Sequence, residues 1–456
     1  MSYYFFAPKR VMMRRFWSYA IPSIMAMLVA GAYYLIDGIF VGHYIGAPGL
    51  AGINLVYPAI MILVGLAAMI SMGAATTISF EQGAKRIHKA RKALVNSLWL
   101  MLLFGAMAPF ILYYFHRDIL LVLNLVPETE TWKQASDYLL WIGGGTFLLS
   151  TNLAVPYLLR NDDRPKLAMV LVSIGAILNI ILNYVMVVHF GLGLIGTAQA
   201  TLIAEGIVSM IGLGYFFSPY AKLRLSFKDM IPSLPAIPNL LFTGLPSLIS
   251  QFNLGLLLML HNSQIIAYGG IKDIAGFTVA GYTEAIFIII VQGLAYGIQP
   301  LISQAAGANR YKDVMYLMGT GLKLTIFFGV LVWGGIQIFP SQVATLYIGD
   351  DDYVLLASAI NSLVLNLSAI PLEGLIVFGI VVLQSMARPR QALIISLAKT
   401  ILLIPFIYLL PYWLDLDGVL LAQPATILVL TIPLCWLLWA EWYRLKVLAT
   451  KELSLY

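Results

Sequence analysis

The nine residues ISFEQGAKR (Ile78–Arg86) return as ISQAAGANR (Ile302–Arg310), 224 positions later and without a gap. The same offset superposes Pro22-Ser23 on Pro246-Ser247, Gly31 on Gly255, Tyr44 on Tyr268, Ala51-Gly52 on Ala275-Gly276 and Gly73 on Gly297. It still holds where Arg164-Pro165-Lys166 meets Arg388-Pro389-Arg390 and Ala198-Gln199 meets Ala422-Gln423. An apolar composition yields scattered Leu and Val matches by chance. One fixed offset, carried by Gly, Pro and loop residues, marks an internal repeat.

The repeated unit belongs in a membrane. The 456 residues are 61% hydrophobic and 11% charged, where globular domains are roughly half apolar and about a quarter charged. Apolar runs of roughly 20 residues recur, each long enough to cross a hydrocarbon layer of ~30 Å as a helix. They predict twelve spans, near 16–41, 53–80, 93–115, 135–158, 166–188, 192–217, 239–268, 275–304, 315–339, 356–385, 391–413 and 417–442. Six spans per half is an even number, so both halves enter from one side and are related by an axis along the membrane normal. The expected fold is an all-α membrane protein, twelve transmembrane helices in two six-helix bundles related by a parallel pseudo-two-fold repeat. Residues 1–225 form the first bundle and 239–456 the second, with a Pro-rich linker at 226–238.

Charge sets the orientation. Twenty-two of the 27 Lys and Arg fall in the tails and alternate loops of one side, and three (Arg117, Lys133, Lys272) on the other, which also carries the acidic run Gly349–Asp352. Positive loops stay inside, so both termini are expected in the cytoplasm and the protein in the inner (plasma) membrane. The surplus of +6 follows this topology and calls for no nucleic acid. The basic N-terminus resembles a signal peptide, but the apolar run after it is too long for one and reads as an uncleaved first helix. The single Cys435 excludes a disulfide framework or a cysteine metal site.

Within the spans the ionisable residues are Asp37, Glu205, Glu284, Glu373, Lys323 and Lys399. Such groups are costly in lipid and usually face the protein interior or a water-filled path. Four acids against two bases bias that path towards cations. The repeat then separates scaffold from function, because polar residues present in one half only are functional candidates. Asp37 maps onto His261, Asn179 and Asn183 onto Leu403 and Ile407, and Thr201 onto Ala425. Asn179 and Asn183 are one helical turn apart on one face. All four lie at similar depth in the outer part of the first bundle, where a carboxylate among amide and hydroxyl donors can exchange a proton; the same oxygens could hold sodium. The same spacing also allows an interfacial Asp37 reaching outer water, with the two Asn as helix-packing amides. Glu205, one turn beyond Thr201, is a candidate fifth member.

LIDGIFVGHYIGAPGLAGINLVYP (Leu35–Pro58), GAATTISFEQGAKR and GIQPLISQAAGANR (Gly297–Arg310) resemble the multidrug and toxic compound extrusion (MATE) family, in its DinF/MepA-like branch, over essentially the whole chain. The resemblance implies a secondary active multidrug efflux antiporter exporting organic cations in exchange for protons or sodium. It implies that Asp37, fifteen residues after Pro22, is the coupling residue. The family's fifth-helix pattern Asn-x-x-x-Asp-Pro appears here as Asn179 to Tyr184, with Asn183 at the acidic position and Tyr184 at the proline. Losing that carboxylate favours protons over sodium. Glu373 resembles a coupling acid that other branches carry in the second half, but the helix 7 acid is missing from Ser247–Asn262.

Glu284 and Glu373 are candidates to attract a cationic drug, or to pair with Lys399 or Lys323. Tyr33, Tyr34, Phe40, Tyr138 and Met259 are candidate cavity-wall residues, since flat or polarizable groups suit promiscuous cation binding. Pro22 permits a kink, and helix 1 is expected to bend there when Asp37 is protonated, although Pro246 holds the same place without an aspartate. A sodium-coupled drug antiporter and a lipid-linked sugar flippase of the same superfamily are the alternatives. The five histidines show no metal-ligand spacing, and neither a Gly-x-Ser-x-Gly elbow nor a Walker loop is present. No enzyme activity, metal or cofactor beyond the coupling ion is expected, and a monomer suffices.

Overall fold

A computed structural model describes residues 9–123, 125–348 and 352–454, the side chains of 34, 47, 48, 227 and 452–454 excepted. Among the described residues there are helices and no strands. The first half runs α1 (Lys9–Phe40), α2 (Ala47–Gly83), α3 (Ile87–Val122), α4 (Glu130–Gly144), α5 (Thr146–Asn161), α6 (Pro165–Asn183) and α7 (Gly193–Phe217). The second runs α8 (Ile237–Tyr268), α9 (Ile271–Gly307), α10 (Tyr311–Ile338), the short α11 (Pro340–Thr345), α12 (Tyr353–Asn366), α13 (Ile370–Ser385), α14 (Pro389–Leu409) and α15 (Pro411–Ser454). Ten helices are long and apolar enough to span a membrane, and up to twelve spans result when each of two bent pairs is taken as one.

The bent pairs are what the hydropathy pattern does not reveal. Spans expected as single helices at 135–158 and 356–385 are each broken, α4 against α5 by 59° and α12 against α13 by 53°. The breaks fall at Gly145 and Ala369, 224 residues apart, so the elbow belongs to the repeat. The two halves reach it by different chemistry. Gly143 to Gly145 weakens the helix in the first half. In the second, Pro371 stands in the first turn of α13, where its missing N–H leaves no helical bond unmade and its fixed φ suits a new helix start. The repeat extends to backbone detail: α2 and α9 have equal length, and the left-handed residues Lys85 (φ 59) and Asp163 (φ 62) recur as Asn309 (φ 58) and Ala387 (φ 58). Near the start of α15 the chain kinks at Asp415, the one residue with non-helical φ/ψ inside that helix (φ 47, ψ −130).

Two compact units emerge, Arg14–Phe252 and Asn253 onward with the residues up to Met13. The division lies inside α8, because the first four turns of that helix pack on α2. Leu240 joins the core built from Ile70, Leu94, Val155, Leu158, Leu171 and Phe216. The linker is strapped to α3: Asn96 and Ser233 exchange two hydrogen bonds (2.7 and 3.0 Å), and Trp99 Nε1 donates to the Met230 carbonyl at 2.7 Å. In the other unit Leu257, Ile265, Phe277, Leu403, Ile407 and Leu420 form a core of their own.

Lipid supplies little hydrophobic drive between helices, so close backbone approach through small residues has to hold them. α2 and α8 show it most clearly. A Cβ on Gly244 would lie 1.8 Å from the Met69 carbonyl oxygen, and one on Gly73 2.2 Å from that of Leu240. Both obstacles are backbone, which cannot rotate away. Gly244→Ala is therefore expected to force α2 and α8 apart and cost on the order of 1–3 kcal/mol. In a thermal-unfolding measurement in detergent this corresponds to a midpoint drop of roughly 1–3 °C. Gly281→Ala, where nothing lies within 4 Å, should leave the midpoint unchanged.

Candidate functional site

The first unit contains the cluster expected from the repeat. Asn183 Nδ2 donates to Asp37 Oδ1 and, at 3.0 Å, to Asn179 Oδ1. Asn179 Nδ2 in turn donates to Thr201 Oγ1 at 3.0 Å. Asn179 and Asn183 are buried, Asp37 half-buried. Three helices, α1, α6 and α7, thus meet through one chain of hydrogen bonds. Glu205, also buried, stands beside this chain and accepts from Asn152 Nδ2 of α5 at 3.3 Å. Asn183 Oδ1 and Glu205 Oε2 are buried without a hydrogen-bond partner. Both amide hydrogens of Asn183 are committed, and an unfilled acceptor remains beside a carboxylate.

Backbone geometry singles out the same place. One turn after Asp37, and directly after Asn183, the helices widen into π-helical turns, Val41–Ile45 and Tyr184–His189. Their closing bonds, Gly46 N to Val41 O (2.9 Å) and Phe190 N to Val185 O (3.0 Å), each span five residues. The second half has no such turn at these places: α8 closes with Gly269 N to Ile265 O, a four-residue span. π-turns are rare and gather at functional sites. Here they occur where the polar residues are one-sided.

The corresponding spot in the second half is apolar apart from His261. That residue is fully buried, stacks on Phe277 (5.1 Å, 5°) and gives Nδ1 to the Leu257 carbonyl at 3.0 Å, leaving Nε2 unpartnered.

Glu284 and Glu373 belong to a different cluster, within the second unit. Glu373 accepts from Lys399 Nζ through one oxygen and from Gln423 Nε2 through the other, both at 2.7 Å. The same Gln423 nitrogen donates to Glu284 Oε1 at 2.7 Å. Glu373 sits in the first turn of α13, just past the elbow, so the break turns a helix N-terminus towards its carboxylate, a favourable dipole arrangement. Lys323, by contrast, is exposed on α10.

The candidate wall residues have different surroundings within their own units. Phe40 stacks on Tyr44 (5.9 Å, 25°) beside the first π-turn. Tyr138 packs on the apolar cluster of Val56, Leu63, Leu112 and Leu139. Met259 is exposed and Tyr33 half-buried. The side chain of Tyr34 lies outside the described residues, as does the acidic run before Asp352. Asp352 itself caps α12 at Leu355 N and pairs with Lys272 at 2.8 Å, which holds its carboxyl below the ordinary range. Pro22 is buried in an α1 that continues through it.

At the end bearing the basic loops, the turn after α5 carries two further carboxylates. Asp162 is fully buried and accepts from Lys222 N, Leu223 N (2.9 Å each) and Tyr215 OH (2.7 Å). Asp163 meets Lys222 Nζ, the Tyr19 hydroxyl and Arg15. Burial alone would push the Asp163 carboxyl up, but these partners outweigh it and hold it below the ordinary range. Its contribution to stability is present at neutral pH and fades as pH falls through that lowered value.

Asn152, Gln423 and the π-turns escape sequence reading for different reasons. Asn152 maps onto Ile376 and is as one-sided as Asp37, so the same comparison of halves would have found it. Gln423 recurs as Gln199, so that comparison discards it. Nothing in the residue pattern announces a π-turn.

Comparison with known proteins agrees with this architecture. The MatE family model matches residues 22–185 and again 246–409, two stretches that repeat the 224-residue offset. The multidrug export protein MepA of Staphylococcus aureus (strain MSSA476) is 24% identical over 431 residues, covering 92% of this chain and 91% of its own. A crystal structure of MATE in complex with MaL6 superposes with a TM-score of 0.87 at 24% identity, covering 97% of each chain. A MOP superfamily transporter from Pyrococcus furiosus Vc1 gives the same score, identity and coverage. With both halves matched by one family model, and with the fold shared from end to end, the chain belongs to the MATE family.

Proposed function

We propose that this protein is a secondary multidrug exporter of the inner (plasma) membrane, with both termini cytoplasmic, which moves organic cations outward in exchange for protons. Export of drug-like molecules follows from family membership and from the relatives named multidrug export protein MepA. The cationic class follows from the excess of acids within the spans. No cofactor beyond the coupling ion takes part.

The observation that carries proton coupling is the bond from Asn183 to Asp37, with Asn183 Oδ1 left over. An amide serves both charge states of a carboxyl. Its N–H donates to the carboxylate, and after a half-turn of the amide its oxygen accepts from the carboxylic acid. Protonating Asp37 changes its charge from −1 to zero, and if Asn179 turns in step its Nδ2 donates to Asn183 Oδ1 while the Thr201 hydroxyl donates to Asn179 Oδ1, so the same partners stay joined with each bond reversed. A sodium ion would want more negative charge than one carboxylate provides. Protonation reverses the bond between α1 and α6, and Pro22 then lets α1 bend, so that the loss of one charge becomes a movement of a helix.

The test is ethidium transport by the purified chain in liposomes, with a pH gradient or a sodium gradient imposed separately. The pH gradient alone should drive transport and the sodium gradient should add nothing. Drive by sodium only overturns the coupling; lipid-linked sugar flipping without cation transport overturns the substrate class.

A further inference from the structure

The cluster in the second unit has a charge balance that the export reading leaves unused. Two carboxylates, Glu284 and Glu373, are bridged by the one amide nitrogen of Gln423, so the oxygens it holds are no farther apart than twice 2.7 Å. Lys399 Nζ neutralises Glu373 at 2.7 Å, its side chain 15% exposed. Glu373 has both oxygens occupied, and Glu284 is the carboxylate without a cation of its own. None of these charges has a counterpart in the other half: Glu284, Glu373 and Lys399 map onto Ile60, Leu149 and Gly175. Charges within the spans usually face the protein interior or a polar path, and Glu284 and Lys399 are both partly exposed. We infer that Lys399 is a specificity-determining residue: a tethered ammonium that fills one of two anionic places, so that the cluster accepts a single positive charge from outside and rejects a second.

The physical content is discrimination by repulsion. A monocation finds Glu284 without an ion-pair partner, held by the Gln423 amide and by Glu373. A dication presents its second charge where the Lys399 ammonium already stands, and like charges at close range in a poorly screened site disfavour it. Removing the ammonium while keeping the two carboxylates opens a second anionic place. The inference rests on the cationic substrate class proposed above, and the two can fail separately.

The experiment compares tetraphenylphosphonium, a monocation, with methyl viologen, a dication, as substrates of the full chain in liposomes under a pH gradient. Wild type should favour the monocation. Lys399→Gln should raise the dication-to-monocation rate ratio by roughly tenfold, the change expected when one close unit charge is removed. Lys399→Arg should leave the ratio at its wild-type value. The double variant E373Q/K399Q, which removes one charge of each sign, should return it there, and so separates charge counting from damage to the fold. A ratio that stays within twofold of wild type in Lys399→Gln overturns the inference while leaving export intact, as does a raised ratio that the double variant fails to restore. A wild type that transports neither cation overturns the substrate class and the inference with it.

Discussion

Asp37→Asn is expected to abolish the proposed pH-driven export while leaving the protein folded and able to bind its substrates. The new amide keeps the shape of the carboxyl, and its oxygen can still accept from Asn183 Nδ2, so the chain through Asn179 to Thr201 survives. What disappears is the change of charge. With nothing to titrate, the bond between α1 and α6 has one state only, and a proton gradient has no purchase on it. Initial rates of ethidium uptake into everted vesicles should fall by about a hundredfold or more, the lower range for removing an essential proton-transfer group. Ethidium binding to the purified protein should change by less than about threefold, since Asp37 need not touch the substrate. Retention of a third or more of the rate would move the proton to another acid, and Glu205, bonded to Asn152 and neighbour to this chain, is the one to replace next.

Asn183→Asp should exchange one coupling ion for another. The substitution puts a second carboxylate at hydrogen-bonding range of Asp37. Two like charges so close cannot both ionise without a cation between them. Asn179 Oδ1 and Thr201 Oγ1 already lie within the same chain of contacts, so the variant offers an all-oxygen set with two negative charges, suited to a hard cation. At constant pH, a sodium gradient, expected to add nothing in the wild type, should accelerate ethidium transport by roughly tenfold in the variant. The pH-driven rate should drop in the same variant, because a carboxyl pair sharing one proton titrates as a unit rather than as a single site. If Asn183→Asp remains indifferent to sodium, the amide is not what selects the proton. The selection then lies in the shape of the π-turns rather than in the charge of residue 183.

The repeat made much of this legible from residues alone. One offset gave the parallel halves, and the polar residues that break it gave Asp37, Asn179, Asn183 and Thr201, which the structure joins by hydrogen bonds. Comparison of halves works because side chains that serve the scaffold recur and those that serve one site do not. It fails where a scaffold residue is borrowed for chemistry, as Gln423 is between two glutamates. It fails also where the signal is geometric. The elbow at Gly145 can be read afterwards from three glycines, but its partner at Ala369 rests on a proline two residues later, and hydropathy runs unbroken through both. The candidate wall residues show the other limit: side-chain chemistry names Tyr138 and Met259, but it does not say that one packs on an apolar cluster and the other is exposed.

The left-handed turns have a bearing on the history of the chain. Lys85, Asp163, Asn309 and Ala387 all carry a Cβ in a conformation that favours glycine, at a cost of roughly 1 kcal/mol each. Ala387 has not even a polar side chain to offset it. A sequence assembled without precedent would place glycine at such corners. Two copies of an ancestral half inherit the corner itself, and each then varies the residue on it independently. The backbone is the older record. After duplication the halves kept their bends and divided their duties, one retaining an uncharged scaffold where the other gained an acid. That is how halves that share their bends can differ in their polar side chains, with Asp37 in one and His261 at the matching place in the other.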